Sequence, residues 1–180
     1  MVHRMTACHK IFFSSPDSYK WFGFILNNWK PKTRRIFFVP CASRKPFHRS
    51  VTHSSFMRPV WNLWAKKLID LIIISEPLTV VPADYDYPIP KYPLYDYPPK
   101  LIMKQNEFFE SERRLWRERM ELFLSYVSNY DLYFLLYPYH KKILGDILSR
   151  FGAHGYYVER IFLAHKVRDI IRELDMADRL

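Results

Sequence analysis

Residues 40–53, PCASRKPFHRSVTH, crowd a thiol, two imidazoles, several hydroxyls and several cations into one short stretch. Together these groups suit addition to an electrophilic carbon. Cys41 supplies a nucleophile, His53 an imidazole that titrates near neutral pH and moves protons, and Ser50 a hydroxyl able to orient a base. Ser50 and His53 stand at i and i+3, so a helix or turn starting near Ser50 puts both on one face. Arg44 and Lys45 match phosphate or base carbonyl oxygens, and Ser43, Lys45 and Phe47 form a candidate substrate-facing set. Two fates remain open for Cys41: a covalent role, or packing beneath a bound ring as a small apolar group. Further along, Glu76 and Asp84 are candidates to hold an ammonium or read an amidine edge, with a loop cap as the other role for Asp84.

These residues need a scaffold, and the hydropathy pattern supplies one. Short apolar runs at 36–40, 71–75, 131–137 and 156–162 read as strands, with a weaker one near 100–103. Helical period over 16–29, 57–69, 107–127, 141–151 and 165–176 separates them. In the third helix Phe108, Leu115, Met120, Phe123, Leu124 and Val127 are expected on one side, with Asn106 as N-cap. Val167, Ile170, Ile171 and Leu174 make the stripe of the last. The alternation predicts a three-layer α/β domain with a mainly parallel, four-stranded sheet flanked by helices. In such sheets ligands bind beyond the carboxyl ends of the strands, which is where residues 41–53 and Glu76 fall. The segment 82–99 holds six of the chain's 13 prolines and five tyrosines, so it is expected as a stiff, extended loop. Its tyrosines either pack on the domain or stack on exposed bases.

The 180 residues, 49% of them hydrophobic, suffice for one domain spanning 1–180. The formal net charge of +10 lies wholly in the first part. Residues 1–75 carry 13 Lys and Arg against Asp17 and Asp70 alone, whereas residues 76–180 are close to balanced. Such a field favours a polyanion, and Arg34, Arg35, Arg44 and Arg49 are the candidate nucleic-acid contacts. No apolar run is long enough to span a bilayer, so no membrane association is expected. Cys8 and Cys41 read as reduced thiols of a cytoplasmic protein. His3, Cys8 and His9 lack a fourth ligand at zinc spacing, so neither a metal nor a cofactor is expected.

The stretch 40–53 also resembles a known family. Archaeosine synthases carry Pro-Cys, three residues, Lys-Pro-Tyr, two residues, Ser, two residues, His; here stand Pro40-Cys41, Lys45-Pro46-Phe47, Ser50 and His53, with Phe47 replacing Tyr. A second block, Ser75 to Pro82 followed by the tyrosine-proline segment, is similar in order and separation. The resemblance implies a fold like that of uracil-DNA glycosylases with a nucleobase pocket at the strand ends. It implies tRNA as substrate and addition of lysine, or a related amine, to the nitrile of preQ0 in the tRNA D-loop. A tRNA-guanine transglycosylase or a radical-SAM protein would be the implied partner. The other readings are a non-catalytic tRNA- or partner-binding module, and a DNA glycosylase, against which the Gly-Gln-Asp-Pro loop of that superfamily is missing.

Overall fold

The computed structural model describes residues 11–88, 90–93, 101–159 and 163–177. Five strands form one mixed sheet: β1 (Arg35–Pro40), β2 (Asp70–Ser75), β3 (Thr79–Pro82), β4 (Asp131–Leu136) and β5 (His154–Tyr157). Their order is β3-β2-β1-β4-β5. β1 runs parallel to β2 and β4, and β5 parallel to β4, while β3 turns back antiparallel to β2. The expected four-stranded sheet therefore gains an edge strand. Its sequence, Thr-Val-Val-Pro, is four residues long and merges with the apolar run before it, so period alone did not separate the two.

Five helices cover the sheet: α1 (Pro16–Asn28), α2 (Arg58–Ala65), α3 (Glu107–Tyr126), α4 (Pro138–Arg150) and α5 (Leu163–Ala177). α1 and α4 pack on α3 at one face, and α5 packs on α2 at the other, the layering that right-handed crossovers produce. Covered on both faces, β1 and β2 are apolar runs without alternation, and all six residues of β2 are buried. Each fully buried Phe or Ile among them contributes about 1.5–3 kcal/mol through lost water contact.

Several local expectations are corrected. α2 is shorter than 57–69, because Lys67 adopts a left-handed φ of 59° that ends the helix, and Thr52–Phe56 form a π-turn before it. Leu101–Met103 is a single 3-10 turn rather than a strand. The last strand starts two residues early, and residues 160–162 lie outside the described residues. Gly155 explains the shift: at φ 156° it sits so close to β4 that a Cβ there would lie 1.9 Å from the Phe134 carbonyl oxygen. On α3, Asn106 Oδ1 does accept from the Phe109 amide at 2.9 Å. Met120, Phe123, Leu124 and Val127 of the expected stripe are buried, but the buried face also carries Phe109, Glu112, Trp116 and Arg119, while Phe108 is 45% exposed. Glu112 accepts from the Phe13 and Ser14 amides, and Arg119 donates to Phe13 O and Ser18 Oγ, so these charges pin the chain before α1. Val167 and Ile170 of α5 are buried and Ile171 half-buried; the Leu174 side chain is outside the described residues. Of the tyrosine-proline segment, Ala83–Tyr85 make a 3-10 turn, and residues 89 and 94–99 lie outside the described residues.

Candidate active site at the strand ends

β1, β2 and β4 end side by side; Cys41 and Glu76 follow the first two at once, and Tyr139 and His140 lie in the first turn of α4, just after β4. They converge on one carboxylate. The Cys41 thiol donates to Glu76 Oε2 at 2.9 Å, the Tyr139 hydroxyl donates to Oε1 at 2.7 Å, and His140 Nε2 stands 3.5 Å from Oε1. The Tyr137 amide donates to His140 Nδ1 at 3.2 Å, which leaves the ring proton on Nε2, facing Glu76. The Tyr139 and His140 rings stack at 4.1 Å. Glu76 and His140 are buried, and Cys41 is half-buried.

The electrostatics follow from that packing. Burial pushes the Glu76 carboxyl up, but the facing His140 imidazole, with the Cys41 and Tyr139 donors, outweighs it and holds Glu76 below its ordinary value. Burial and the adjacent Glu76 charge push the Cys41 thiol well up, and they push the Tyr139 phenol up as well. At neutral pH the site is one carboxylate fed by a neutral thiol and a neutral phenol. Such a carboxylate is placed to take the thiol proton as sulfur attacks carbon.

The other motif residues brace Cys41. His53 is fully buried, its Nε2–H donates to the Pro40 carbonyl at 2.9 Å, and the Trp61 indole donates to its Nδ1 at 3.1 Å. Burial lowers its pKa from 6.5 to about 4. With both nitrogens hydrogen-bonded inside the protein, His53 ties its turn to the residue before Cys41. Ser50 Oγ accepts from the His53 amide at 3.2 Å and so starts the π-turn. Phe47 has 0% exposure and stacks on Tyr92 at 5.5 Å, so it lies beneath the site. The loop is clamped by Asp86, which was not foreseen. This carboxylate, 0% exposed, accepts from the Phe47 and His48 amides, from His48 Nδ1 and from the Tyr92 hydroxyl. Lys45 lies 5.6 Å above the Phe47 ring, with its Nζ donating to Ser43 O at 3.3 Å.

Two expected groupings come apart. Antiparallel β3 carries Asp84 to the end of the sheet far from Glu76. There it holds Lys32 Nζ at 2.7 Å and the Trp29 indole at 3.3 Å. Arg34 and Arg35 likewise sit at the start of β1, where Arg34 pairs with Asp131 at 3.3 Å, whereas Arg44 and Arg49 follow its end. Tyr139 and His140 were missed, although the strand-end rule that pointed to Cys41 points equally to the residues after β4.

Among the described residues no group of three or more His, Cys, Asp or Glu is placed to hold a metal; His3, Cys8 and His9 lie outside them. Nor is any helix of those residues long and apolar enough to cross a membrane. A groove of about 560 Å³ between α4 and β5, lined by Lys141, Asp146, Ser149, His154 and Tyr157 among others, lies apart from this cluster.

Residues 19–129 match the family described as Domain of unknown function (DUF5591). The chain belongs to that family. It is 28% identical over 98 residues to archaeosine synthase subunit alpha of Thermoplasma acidophilum, covering 50% of this chain and 19% of the relative. Over 70 residues it is 30% identical to archaeosine synthase of Methanocaldococcus jannaschii, covering 36% of this chain and 12% of the relative. The chain thus spans less than a fifth of these curated relatives. Its fold matches the crystal structure of AF0587, a protein of unknown function, with a TM-score of 0.58 and 20% identity, over 86% of this chain and 49% of that one.

Proposed function

We propose that this DUF5591 chain is the core of a tRNA-modifying enzyme of archaeosine biosynthesis, adding an amine, lysine in the first instance, to the nitrile of preQ0 in tRNA. The relatives' names support the pathway, and the carrying observation for catalysis is the Cys41 thiol bonded to the Glu76 carboxylate at adjoining strand ends. In this reading the Cys41 sulfur adds to the nitrile carbon. Glu76 takes the thiol proton and passes it to the nitrile nitrogen, giving a thioimidate. The amine nitrogen then attacks the same carbon, the carbon–sulfur bond breaks, and the amine proton returns through Glu76 to sulfur. The product is an amidine and the thiol is regenerated. Tyr139, donating to the same carboxylate, steadies its charge through both steps. His53 and Ser50 hold the Pro40–Cys41 backbone. The nucleobase-pocket fold implied by the resemblance goes with this reading, as does tRNA as partner; a transglycosylase or radical-SAM protein would act before and after it.

The test is mass spectrometry of nucleosides after incubating the protein with preQ0-containing tRNA and isotopically labelled lysine. A labelled adduct is expected, lost in Cys41→Ala and Glu76→Gln. The second reading, a binding module without chemistry, draws on the thiol being held neutral by its surroundings. It would stand if tRNA binds but no adduct forms under any partner condition.

A further inference from the structure

Next to the strand-end site, four aromatic rings close a cycle. His48 meets Trp61 at 5.9 Å, Trp61 meets Trp64 at 5.5 Å, Trp64 meets Tyr87 at 6.0 Å, and Tyr87 meets His48 at 5.0 Å. All four contacts are edge to face, with interplanar angles of 65–83°. The His48 side chain is only 12% exposed and Trp61 and Trp64 pack on the core, so the accessible ring surface is that of Tyr87 and of the exposed part of the two tryptophans. Trp61 and Trp64 are half-buried and Tyr87 is 51% exposed, in contrast to Trp21, Trp29 and Trp116, which are buried.

Exposed arginines flank this cycle, while the carboxylate that touches its His48, Asp86, is fully buried. Between Asp17 and Asp70 the chain carries 11 Lys and Arg and no carboxylate. Arg44 and Arg49 stand on the loop that holds His48, and Arg58 stands on the helix that holds both tryptophans. All three are exposed, and none is in an ion pair among the described residues. Trp61 and Trp64 pack on the core with part of their surface, which does not account for their exposed remainder or for Tyr87. Partly exposed rings flanked by exposed arginines match a chain of bases on a phosphate backbone.

We infer that Tyr87 with the exposed parts of Trp64 and Trp61, braced by His48 and flanked by arginines, forms a docking face for an unpaired stretch of RNA, with bases on these three rings and phosphates on Arg44, Arg49 and Arg58. The RNA assignment, rather than DNA, rests on the function proposed above. The face is continuous with that site: the Trp61 indole also donates to His53, and His48 shares Asp86 with the Cys41 loop. It therefore delivers an unstacked nucleotide beside the strand ends from the α2 side.

The test is fluorescence anisotropy of labelled 12-nucleotide strands with the full chain: unpaired RNA, a hairpin RNA of equal phosphate number, and unpaired DNA, each at two salt concentrations. Unpaired RNA is expected to bind most tightly, and Tyr87→Ala and Trp64→Ala are each expected to weaken it about tenfold. Replacing Arg49 and Arg58 by Gln should lower the salt slope by about 0.7 per charge. Tyr87 lies at the surface, so its variant remains informative if Trp64→Ala fails to fold. Equal binding of the hairpin, tighter binding of DNA, or unchanged affinity in Tyr87→Ala overturns the proposal. No preQ0 or lysine is needed, so a missing adduct with binding intact overturns only the catalytic reading. Adduct formation with unaltered affinity in the ring variants overturns only this one.

Discussion

Replacing Asp86 with alanine removes a carboxylate that takes two hydrogen bonds on each oxygen, all between 2.6 and 2.9 Å. Two donors are backbone amides of the Cys41 loop, and the Phe47 amide is buried, so it has no route to water once the acceptor is gone. Removing one side of a buried, charged, hydrogen-bonded group costs roughly 3–5 kcal/mol, because the stranded donors keep their desolvation penalty. That is a large share of the roughly 5–15 kcal/mol that holds a domain folded. Asp84, two residues away, supplies the control. Its pair with Lys32 leaves the lysine side chain 64% exposed and its own 25% exposed, and it takes one long bond from the Trp29 indole, so Asp84→Ala is expected to cost about 1–2 kcal/mol, less than Asp86→Ala. Urea unfolding followed by circular dichroism gives both numbers from the shift in midpoint. If Asp86→Ala costs no more than Asp84→Ala, the loop is held by the apolar contacts of Phe47, and the clamp argument fails.

Cys41 is expected to react with iodoacetamide at pH 8 more slowly than a free thiol, since burial and Glu76 both hold it protonated; Glu76→Gln removes the nearby charge and should speed the reaction, read by peptide mass spectrometry. A faster-than-free thiol in the native chain would contradict this environment. His53 has a folded pKa of about 4 against an ordinary 6.5. The unfolded chain therefore takes up a proton first as pH falls, and stability present above pH 6.5 is lost toward pH 4, by on the order of 3 kcal/mol. In His53→Gln that slope between pH 6.5 and 4 should flatten in urea titrations at several pH values. Gly155→Ala forces a Cβ against the Phe134 carbonyl; a loss of more than about 2 kcal/mol is expected from displaced strand pairing, and a melting temperature equal to the native one would show that β5 can shift without cost.

Much of the scaffold was legible because it rests on local signals. The first three apolar runs fell on strands, the fourth met β5 only at residues 156–157, and Asn106 capped α3, since burial on both sheet faces and an N-cap leave direct marks in composition. β3 was hidden because an antiparallel return through Glu76-Pro77-Leu78-Thr79 depends on a turn, with Thr79 at φ 71°, that no periodicity announces. That one strand also decided the fate of Asp84. At the site, Cys41 and Glu76 were found by their place after strands, yet their mutual hydrogen bond was not, because it joins residues 35 apart in sequence. The buried charges of α3 escaped for the opposite reason: Glu112 and Arg119 face inward only because the amides, carbonyl and hydroxyl of residues 13–18 wait there for them.

The fixed spacing of the motif now has a physical account that separates chemistry from support. Only Cys41 of its anchors is joined to the strand-end carboxylate. His53 ties the turn at residues 52–56 to the Pro40 carbonyl, one residue before the thiol. Ser50 starts that turn, and Phe47 carries its amide to Asp86. A different loop length between Cys41 and His53 would break this closure even with every residue type kept. The support residues also reach Trp61 and Tyr87, through the indole bond to His53 and the ring contact to His48. The same scaffold that sets the angle of the thiol therefore sets the aromatic face beside it. A change at His53 is expected to move both adduct yield and RNA affinity, whereas Glu76→Gln is expected to move adduct yield alone.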